Sequence, residues 1–571
     1  MTPADRNLWQ RFWAIASPYW RQDERLKAWG LLALLVLLLL GQTRFAVLFN
    51  EQTGEFTSAL AARDEQRFWD SIKYCLGLLA MAVPIFALHY FVRDTLGIHW
   101  RRWLTHRFLD SYFSHRNFYE LNSNAGIDNP DQRVAEDINT FTQRSLYFLL
   151  IFIGSTLQLV AFSTVLWSIS RELVYFLVLY ASAGTLVTIF VFGKRLMNLN
   201  FLQLRREADF RFSLVRVREN AESIALYRGE GQEQQQVRKR FAAAFKNFKR
   251  LVRTQLGLNF FQYAYSLLTI VLPSAIIASD VLSGELEVGR AVQAAGAFAA
   301  VLAAFSLIVE NFESLSRFAA GIDRLDSLAR FLPGHAGCPP QRGNSIVSVD
   351  ANQLALENLT LQTPNCERTL VRNLSIKVQR GEHLMIVGQS GSGKSSLLRA
   401  IAGLWYNGSG TIYRPTPNNI LFLPQQPYML LGSLRSQLLY PHNGHAVADA
   451  QLLKVLEKVN LPDLASRFGS LDAEADWSKV LSVGEQQRLA FARILIVKPR
   501  YAVLDEATSA LDSANEDALY KLLLTLDTTL VSVAHRPAIL KYHRQVLALN
   551  GEGGWQASPA EAFRFAPNDG D

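Results

Sequence analysis

Six long apolar runs in the first 315 residues limit what this chain can fold into more than any other feature. A run of about 20 apolar residues can cross a lipid bilayer as one helix, and a helix satisfies its backbone hydrogen bonds within its own segment. The last two runs also fit buried helices of a soluble protein. We expect an all-α membrane domain with six transmembrane helices, at about residues 28–49, 74–92, 147–169, 173–192, 258–278 and 291–309.

Lysine and arginine are distributed unevenly between these runs. Five lie in residues 1–27, seven between the second and third runs, and fifteen from Lys194 to Arg253, against three, one and one in the other loops. Loops rich in these residues remain in the cytoplasm. The pattern therefore predicts a cytoplasmic N-terminus, and six crossings return the chain to the cytoplasm.

The segments that flank the runs predict further structure. Residues 1–27 interleave aromatic and arginine side chains, which predicts an amphipathic helix in the membrane interface. The charged segments after the second and fourth runs are too long for irregular loops, so we expect helices that extend into the cytoplasm, with solvated loops as the alternative. The membrane domain then covers residues 28–332, and a Pro- and Gly-rich linker covers residues 333–345.

Composition narrows the class of protein. A chain of 571 residues is too long for one hydrophobic core, so two or more domains are expected. Cys75, Cys338 and Cys366 lack metal-site spacing, which indicates a reduced compartment without disulfide bonds. The net charge is +8, but the basic residues concentrate between apolar runs, so we expect a lipid bilayer and no nucleic acid as partner. Because no long targeting extension precedes the first run, a bacterial inner membrane is the expected location.

A phosphate-binding pattern follows the membrane domain. Residues 388–395 (GQSGSGKS) fit G-x-x-x-x-G-K-[ST], between an apolar strand at 384–387 and a helical pattern. In such a loop the backbone N–H groups and the helix N-terminus face phosphate, Lys394 reaches the β- and γ-phosphates, and Ser395 holds Mg²⁺. A glycine-rich turn without a ligand is the alternative. The expected ATP contacts here are Gly388, Ser390, Gly391, Ser392, Gly393, Lys394, Ser395 and Ser396.

Two further apolar strands end in residues suited to ATP hydrolysis. Asp505 and Glu506 follow the first strand, where they are placed to hold Mg²⁺ and to polarise the attacking water. His535 ends the second strand and could contact the γ-phosphate, although a lone histidine is more often structural. We expect an α/β P-loop cassette over residues 346–550 and an irregular C-terminal tail over residues 551–571.

In this order, the segments resemble the ATP-binding-cassette (ABC) transporter family, and the resemblance covers nearly the whole chain. It implies that Asp505 holds Mg²⁺ and that Glu506 is the catalytic carboxylate. His535 resembles the switch histidine of this family. Gln425 resembles its Q-loop residue, which serves both Mg²⁺ and catalysis.

The resemblance also implies a homodimer. Residues 481–486 (LSVGEQ) resemble the signature motif, whose Ser482 and Gly484 contact ATP held by the other chain. The family usually has L-S-G-G-Q here, so Val483 is a departure, and we expect hydrolysis to survive it. The aromatic residue that often stacks on adenine would fall near residues 363–364, and Phe422 is a candidate substitute, with strand core as the alternative.

The membrane half resembles ABC subfamily D and the bacterial SbmA/BacA-like proteins at residues 100–105 (WRRWLT) and 128–133 (DNPDQR). This implies an exporter-type fold and ATP-driven uptake of a peptide or cobalamin-like compound. Export or flipping of a lipid or long-chain acyl compound, and an ATP-gated channel or sensor, are the alternatives. We expect the turn at 128–133 to meet the cassette at a cytoplasmic tip, with a helix-capping turn as the alternative. The candidate lining residues of the substrate path are Gln262, Tyr263, Glu310 and Asn311.

Overall fold

The computed structural model describes residues 7–22, 24–122, 127, 130–332, 345–364, 367–441 and 447–565. The chain divides into two compact units, residues 1–338 and 339–571. The boundary falls in the predicted linker, most of which lies outside the described residues. We describe the first as the membrane unit and the second as the cassette.

The membrane unit consists of helices joined by short turns, with no strand among its described residues. Its helices are α1 (Leu8–Arg21), α2 (Arg25–Ala62), α3 (Glu65–Phe113), α4 (Asn117–Asn122), α5 (Pro130–Gln132), α6 (Ile138–Ile169), α7 (Arg171–Val187), α8 (Lys194–Glu219), α9 (Ala221–Tyr227), α10 (Glu230–Ile276), α11 (Ala278–Leu282), α12 (Val288–Glu310) and α13 (Phe312–Phe331). Six described segments are long and apolar enough to cross a membrane: 25–62, 65–113, 130–169, 171–193, 230–276 and 288–305. The six predicted spans are therefore confirmed, and the charged segments after the second and fourth runs are mainly helical over their described residues.

Small residues bring α2 and α12 together. The backbone N–H of Gly289 donates to the Ser58 hydroxyl over 3.1 Å. A Cβ atom on Gly289 would lie 1.9 Å from the carbonyl oxygen of Gly54, so only glycine fits this contact. Close backbone approach of this kind is a common basis of helix association in membranes.

A tyrosine pair joins α7 to α10. The rings of Tyr180 and Tyr265 stack with centroids 4.2 Å apart. Each hydroxyl donates to the backbone carbonyl of the other residue, over 2.7 and 2.8 Å. Gly184 leaves room for the Tyr265 ring, since a Cβ there would lie 2.5 Å from it.

The N-terminal helix α1 is amphipathic, as predicted. Ile15, Ala16 and Tyr19 are buried, whereas Trp9 and Trp13 are exposed. Its position in a membrane interface remains a prediction.

The segment predicted to form a turn at residues 128–133 is described from Pro130 onward, where it is helical. Residues 128 and 129 lie outside the described residues. Asp131 is exposed inside the short helix α5 rather than at its cap. Arg133 is buried and donates to the Arg324 carbonyl over 2.7 Å and to the Ser327 hydroxyl over 2.6 Å. Arg133 is therefore covered by α13, and the contact of this turn with the cassette remains a prediction.

The cassette contains three sheets and seven helices in its described residues. Its strands are β1 (Val347–Asp350), β2 (Leu354–Gln362), β3 (Thr369–Val378), β4 (Leu384–Gly388), β5 (Gly408–Arg414), β6 (Ile420–Leu423), β7 (Leu431–Ser433), β8 (Glu474–Asp476), β9 (Tyr501–Asp505), β10 (Thr529–Val533), β11 (Gln545–Leu549) and β12 (Trp555–Pro559). Its helices are α14 (Lys394–Ile401), α15 (Leu434–Leu439), α16 (Asp449–Lys458), α17 (Leu464–Arg467), α18 (Trp477–Val480), α19 (Val483–Val497) and α20 (Ser513–Leu524).

A six-stranded sheet positions the site. Its strand order is β12–β11–β4–β10–β9–β6, and every pair is parallel except β11 with β12. A four-stranded sheet has the order β1–β5–β2–β3, and β7 pairs with β8. The strands β4, β9 and β10 are almost wholly buried, which explains why most of their residues are apolar. Their carboxyl ends lie along one edge of the sheet, where α/β folds bind ligands.

The prediction of an irregular tail after residue 550 is wrong. Residues 555–559 form β12, which pairs antiparallel with β11 from Gln545↔Pro559 to Leu549↔Trp555. The cassette therefore extends through this edge strand. β12 lies at the edge of the sheet and its residues are exposed or half-buried, so its sequence contains no long apolar run.

Candidate functional site

The phosphate-binding loop lies between β4 and α14, as predicted. Gly388 has φ 151°, and a Cβ there would lie 2.4 Å from the Leu549 carbonyl oxygen. The Lys394 ammonium is buried and donates to the carbonyls of Gly388 over 2.7 Å and Gln389 over 2.9 Å. Burial lowers the pKa of Lys394, against the nearby carboxylates of residues 505 and 506. The loop is thus wrapped around the amine that would meet phosphate.

The chemistry of this loop fits a bound phosphate. The Ser392 hydroxyl oxygen is buried and has no hydrogen-bond partner among the described residues. Ser390 and Gly391 lie exposed on the same loop, and Ser396 is half-buried on α14. An unsatisfied buried hydroxyl next to a helix N-terminus is a fitting partner for an anionic oxygen.

A pair of acids stands at the end of β9. The Ser395 hydroxyl hydrogen-bonds the Asp505 carboxylate. Burial, and next the neighbouring Glu506 carboxylate, raise the pKa of Asp505, against that hydrogen bond. Glu506 has φ 47°, and its backbone N–H donates to the Val533 carbonyl over 3.0 Å. A glutamate whose backbone lies in the left-handed region, at the end of one strand and hydrogen-bonded to the next, is strained in a way often found at functional sites.

Two predicted catalytic residues, Gln425 and His535, each contact the third, Glu506. The Gln425 amide donates to Glu506 Oε2 over 2.9 Å. His535 Nε2 lies 3.2 Å from Glu506 Oε1. Gln425 follows β6 and His535 follows β10, so the sheet brings loops from both sides of β9 onto one carboxylate.

Gln487 on α19 joins this cluster, although sequence reasoning did not identify it. It is buried, and its amide nitrogen lies 3.3 Å from the Gln425 carbonyl and 3.2 Å from the Ser509 hydroxyl. Its side-chain oxygen accepts from the Ala510 backbone N–H over 3.1 Å. Gln487 therefore connects the loop of Gln425 to the loop at 509–512. The only sequence signal for it was its place next to the signature segment.

Arg536 is the second residue that sequence reasoning missed. Its guanidinium donates to the carbonyls of Ser509 over 3.2 Å and Leu511 over 2.9 Å. It also lies 3.3 Å from the carboxylate of Glu516, which is 2% exposed. Arg536 follows His535 directly, so one backbone segment contacts both Glu506 and the 509–512 loop.

The signature segment begins helix α19. The Ser482 hydroxyl accepts from the Glu485 backbone N–H, and it donates to Glu485 Oε2 over 2.9 Å. Arg467 pairs with Glu485 Oε1 over 2.8 Å. Although burial opposes it, these bonds lower the pKa of Glu485. Val483 is exposed, so the departure from the usual glycine adds no core contact.

Ser482 and Gly484 stand apart from the Glu506 cluster in hydrogen bonding. Among the described residues, no hydrogen bond joins Ser482 to the loop at 388–395. A Cβ on Gly484 would lie 3.2 Å from the Ala510 carbonyl, so glycine lets α19 approach the 509–512 loop.

Phe422 packs against the apolar core. It lies in β6, paired with Val503 of β9, and it is half-buried. This packing fits the strand-core alternative, and adenine stacking by Phe422 remains a prediction.

The comparison with known proteins agrees with this geometry. The sequence-family model for ABC transporter transmembrane region 2 matches residues 22–282, and the sequence-family model for ABC transporter matches residues 371–509. An ABC transporter ATP-binding protein of Synechocystis is 47% identical over 546 residues, covering 94% of this chain and 82% of that protein. This chain belongs to the ABC transporter family.

Two further relatives of this ABC transporter place it in subfamily D. ABC transporter D family member 2, chloroplastic, of Arabidopsis thaliana is 39% identical, covering 98% of this chain and 89% of that protein. The lysosomal cobalamin transporter ABCD4 of Homo sapiens is 31% identical, covering 92% of each. The ABC cassette implies ATP binding and hydrolysis coupled to transport, and a half-transporter of this family implies dimerisation in a membrane.

Proposed function

We propose that this ABC transporter is a homodimer that uses ATP to take up a peptide or a cobalamin-like compound across a bacterial inner membrane. The observation that carries the ATP-driven part is the convergence of Gln425 and His535 on Glu506. The name of the relative ABCD4 supports the cobalamin-like class. The N-terminus and the cassette would lie in the cytoplasm, as the basic loops favour.

The residues of the cassette would divide the chemistry among them. Ser395, Asp505 and Gln425 would hold Mg²⁺, which supplies charge neutralisation at the phosphates. Glu506 would orient the attacking water and accept its proton, and His535 would contact the γ-phosphate. Lys394 and the 388–395 loop would bind the β- and γ-phosphates.

The second chain would complete each site. Ser482 and Gly484 of one chain would meet the γ-phosphate held by the Lys394 loop of the other. Supporting this, the signature residues begin a helix whose N-terminus suits an anion. Closure of the two cassettes on ATP and their reopening after hydrolysis would shift the membrane halves between two facings.

Mixed dimers test the shared site. In the first dimer, one chain carries Ser482→Arg and the other carries Lys394→Ala. If sites are shared between chains, both lesions fall on one site and about half of the hydrolysis remains, provided that the two sites turn over independently.

The matched control places both substitutions on one chain, opposite a wild-type chain. Shared sites then lose hydrolysis at both positions. If each site were built within one chain, the first dimer would lose hydrolysis at both sites and the control dimer would keep about half. That exchange would refute the head-to-tail arrangement.

Transport direction separates the proposal from its alternatives. In proteoliposomes with cassettes facing the outer solution, uptake predicts that added ATP releases preloaded cyanocobalamin, or a preloaded peptide, from the lumen. Export or lipid flipping, which the exporter-type architecture allows, predicts accumulation or leaflet transfer instead. ATP-dependent conductance in planar bilayers would favour the channel. Failure of every tested cobalamin and peptide would exclude those substrates and leave the ATP-driven cycle to the mixed-dimer test.

A further inference from the structure

A polar cavity of about 520 Å³ lies between α3 and α6 of the membrane unit. Its α3 residues follow the second apolar run and its α6 residues precede the third. The cavity is therefore at the membrane edge, on the side of the loop that joins these runs. Its polar lining includes Arg93, Arg101, Asn139, Gln143, Arg144 and Tyr147.

The lining carries excess positive charge. Arg93 pairs with Asp94, the neighbouring lining residue, over 2.8 Å. Within the part of the chain that the structure describes, no carboxylate lies at ion-pair distance from Arg101 or Arg144. Two guanidinium groups thus face one cavity without an acidic partner in these residues. Each guanidinium presents a planar set of N–H donors that matches carboxylate and phosphate oxygens.

One further lining residue restricts the ligand. The Asn139 side-chain oxygen is buried and has no hydrogen-bond partner among the described residues. A buried acceptor of this kind is normally satisfied, so its partner here would be a donor on the ligand. The fitting ligand therefore carries a hydroxyl or amine close to its anionic group.

The cavity is connected to the sixth span. The Arg144 guanidinium lies 5.7 Å from the centre of the Tyr147 ring. The Tyr147 hydroxyl donates over 3.0 Å to the side chain of Asn311, which separates α12 from α13. Asn311 is also a candidate lining residue of the substrate path. A ligand bound at Arg144 would therefore be linked through Tyr147 to the break between α12 and α13.

We propose that this cavity binds an oxyanion, as the phosphate or carboxylate head group of the compound that the transporter moves. Arg101 and Arg144 hold the anion, and Asn139 accepts a hydrogen bond from the neighbouring hydroxyl or amine. The proposal rests on the proposed transport function. The same chemistry is offered by a soluble phosphate ester and by the head group of an anionic lipid.

Protection of the arginines from phenylglyoxal tests the site without transport or nucleotide. The full chain in phosphatidylcholine nanodiscs is modified, and the rate at each arginine is read by mass spectrometry. The soluble probe is glycerol 3-phosphate, with glycerol as its uncharged control, and the lipid probe is phosphatidylglycerol added to the nanodisc. At ten times its Kd, a bound probe should slow modification of Arg101 and Arg144 about tenfold, because only the unbound fraction reacts.

The exposed residue Arg63, outside the cavity, is the internal reference. Protection by glycerol 3-phosphate identifies a soluble head group, and protection by phosphatidylglycerol alone identifies a lipid head group. Unchanged rates with both probes, or equal protection of Arg63, would overturn the proposal. This readout stays valid even if the mixed dimers refute the shared ATP sites.

A substitution series completes the test. Arg101→Gln should raise the probe concentration for half-protection of Arg144 about tenfold, the effect of one charge-assisted hydrogen bond. Arg101→Lys should restore part of the affinity, and Arg63→Gln should leave it unchanged. Equal half-protection in Arg101→Gln and wild-type protein would show that Arg101 does not hold the anion.

Discussion

The ATP site of the cassette and the basic cavity of the membrane unit differ in whether their charged side chains are already held by hydrogen bonds. In the cassette, Glu506 is already hydrogen-bonded by Gln425 and His535, and Gln487 and Arg536 tie the neighbouring loops together. In the cavity, Arg101 has no hydrogen bond or ion pair among the described residues. A preorganised cluster suits one invariant reaction, since its groups need no rearrangement in the transition state. Loosely held side chains suit recognition of a ligand that must enter and leave.

The two units also differ in what holds them together. The cassette buries large apolar side chains on both faces of its six-stranded sheet. The membrane unit also has buried apolar clusters, and its helices additionally contact through glycine and through paired tyrosines. Lipid removes the hydrophobic drive between helices, so close packing and hydrogen bonds must specify their pairing.

The largest expected effect tests preorganisation in the cassette. Glu506→Gln should lower ATP hydrolysis by about 10²–10⁴-fold, because the amide keeps hydrogen bonds but cannot accept the proton from water. ATP binding should persist and a closed dimer should accumulate. Phosphate release and nucleotide binding measure the two effects. Glu457→Gln, at an exposed residue of α16, is the control, and near wild-type turnover in Glu506→Gln would remove Glu506 from the reaction.

Low pH should lower the stability of the cassette, because it favours protonation of a buried histidine. Burial lowers the pKa of His543 to about 4, and its ring contacts the Ser532 hydroxyl and the Ile539 carbonyl, both over 2.9 Å. The folded state therefore holds fewer protons than the unfolded state between pH 6.5 and 4. Stability should fall as pH falls through this window, by about 3 kcal/mol from this residue.

Hydrogen exchange of peptides covering β10 measures this loss in the full chain. In His543→Asn, the protection should change less between pH 6.5 and 4 than in the wild-type protein. An equal pH dependence in both would assign the acid sensitivity to other groups.

Adding one methyl group at the contact between α2 and α12 should lower the stability of the membrane unit. Gly289→Ala places a Cβ against the Gly54 carbonyl, and neither backbone can move independently, so stability should fall by about 1–3 kcal/mol or more. Gly30→Ala is the matched control on α2, because no heavy atom lies within 4 Å of its Cβ position. Thermal unfolding in detergent compares the two variants. Equal midpoints would mean that the α2–α12 contact does not hold the unit together.

The smallest effect compares one hydrogen bond in each unit. Tyr180→Phe removes the bond to the Tyr265 carbonyl and keeps the stacked ring. Tyr501→Phe removes the 3.2 Å bond to the Val378 carbonyl in the cassette core. Each should cost about 0.5–1.5 kcal/mol. A much larger loss for Tyr180→Phe, measured by denaturant or thermal unfolding, would show that the tyrosine pair acts as one cooperative contact.

The cassette site could be predicted in large part from the sequence. Buried strands are directly followed along the chain by the P-loop, by Asp505 and Glu506, and by His535. A loop that follows a strand lies at the end of that strand in the fold, so the sequence alone indicates where these residues lie. Gln487 and Arg536 carried no comparable signal, because their roles depend on carbonyls and amides of a loop that is distant in sequence. The contacts of Arg133 carried no sequence signal for a related reason: they come from α13, which lies about 190 residues further along the chain.

The sequence by itself determined six membrane-crossing helices, the helical character of the charged segments, and the P-loop between a strand and a helix. Each of these depends on local periodicity, length or turn chemistry, which a single segment contains. Only the tertiary structure decided that Glu506 is held by Gln425 and His535, that β12 continues the sheet, and that α3 and α6 bring Arg101 and Arg144 to one cavity. Those arrangements depend on contacts between segments distant along the chain, and a local pattern carries no information on which segments pack together.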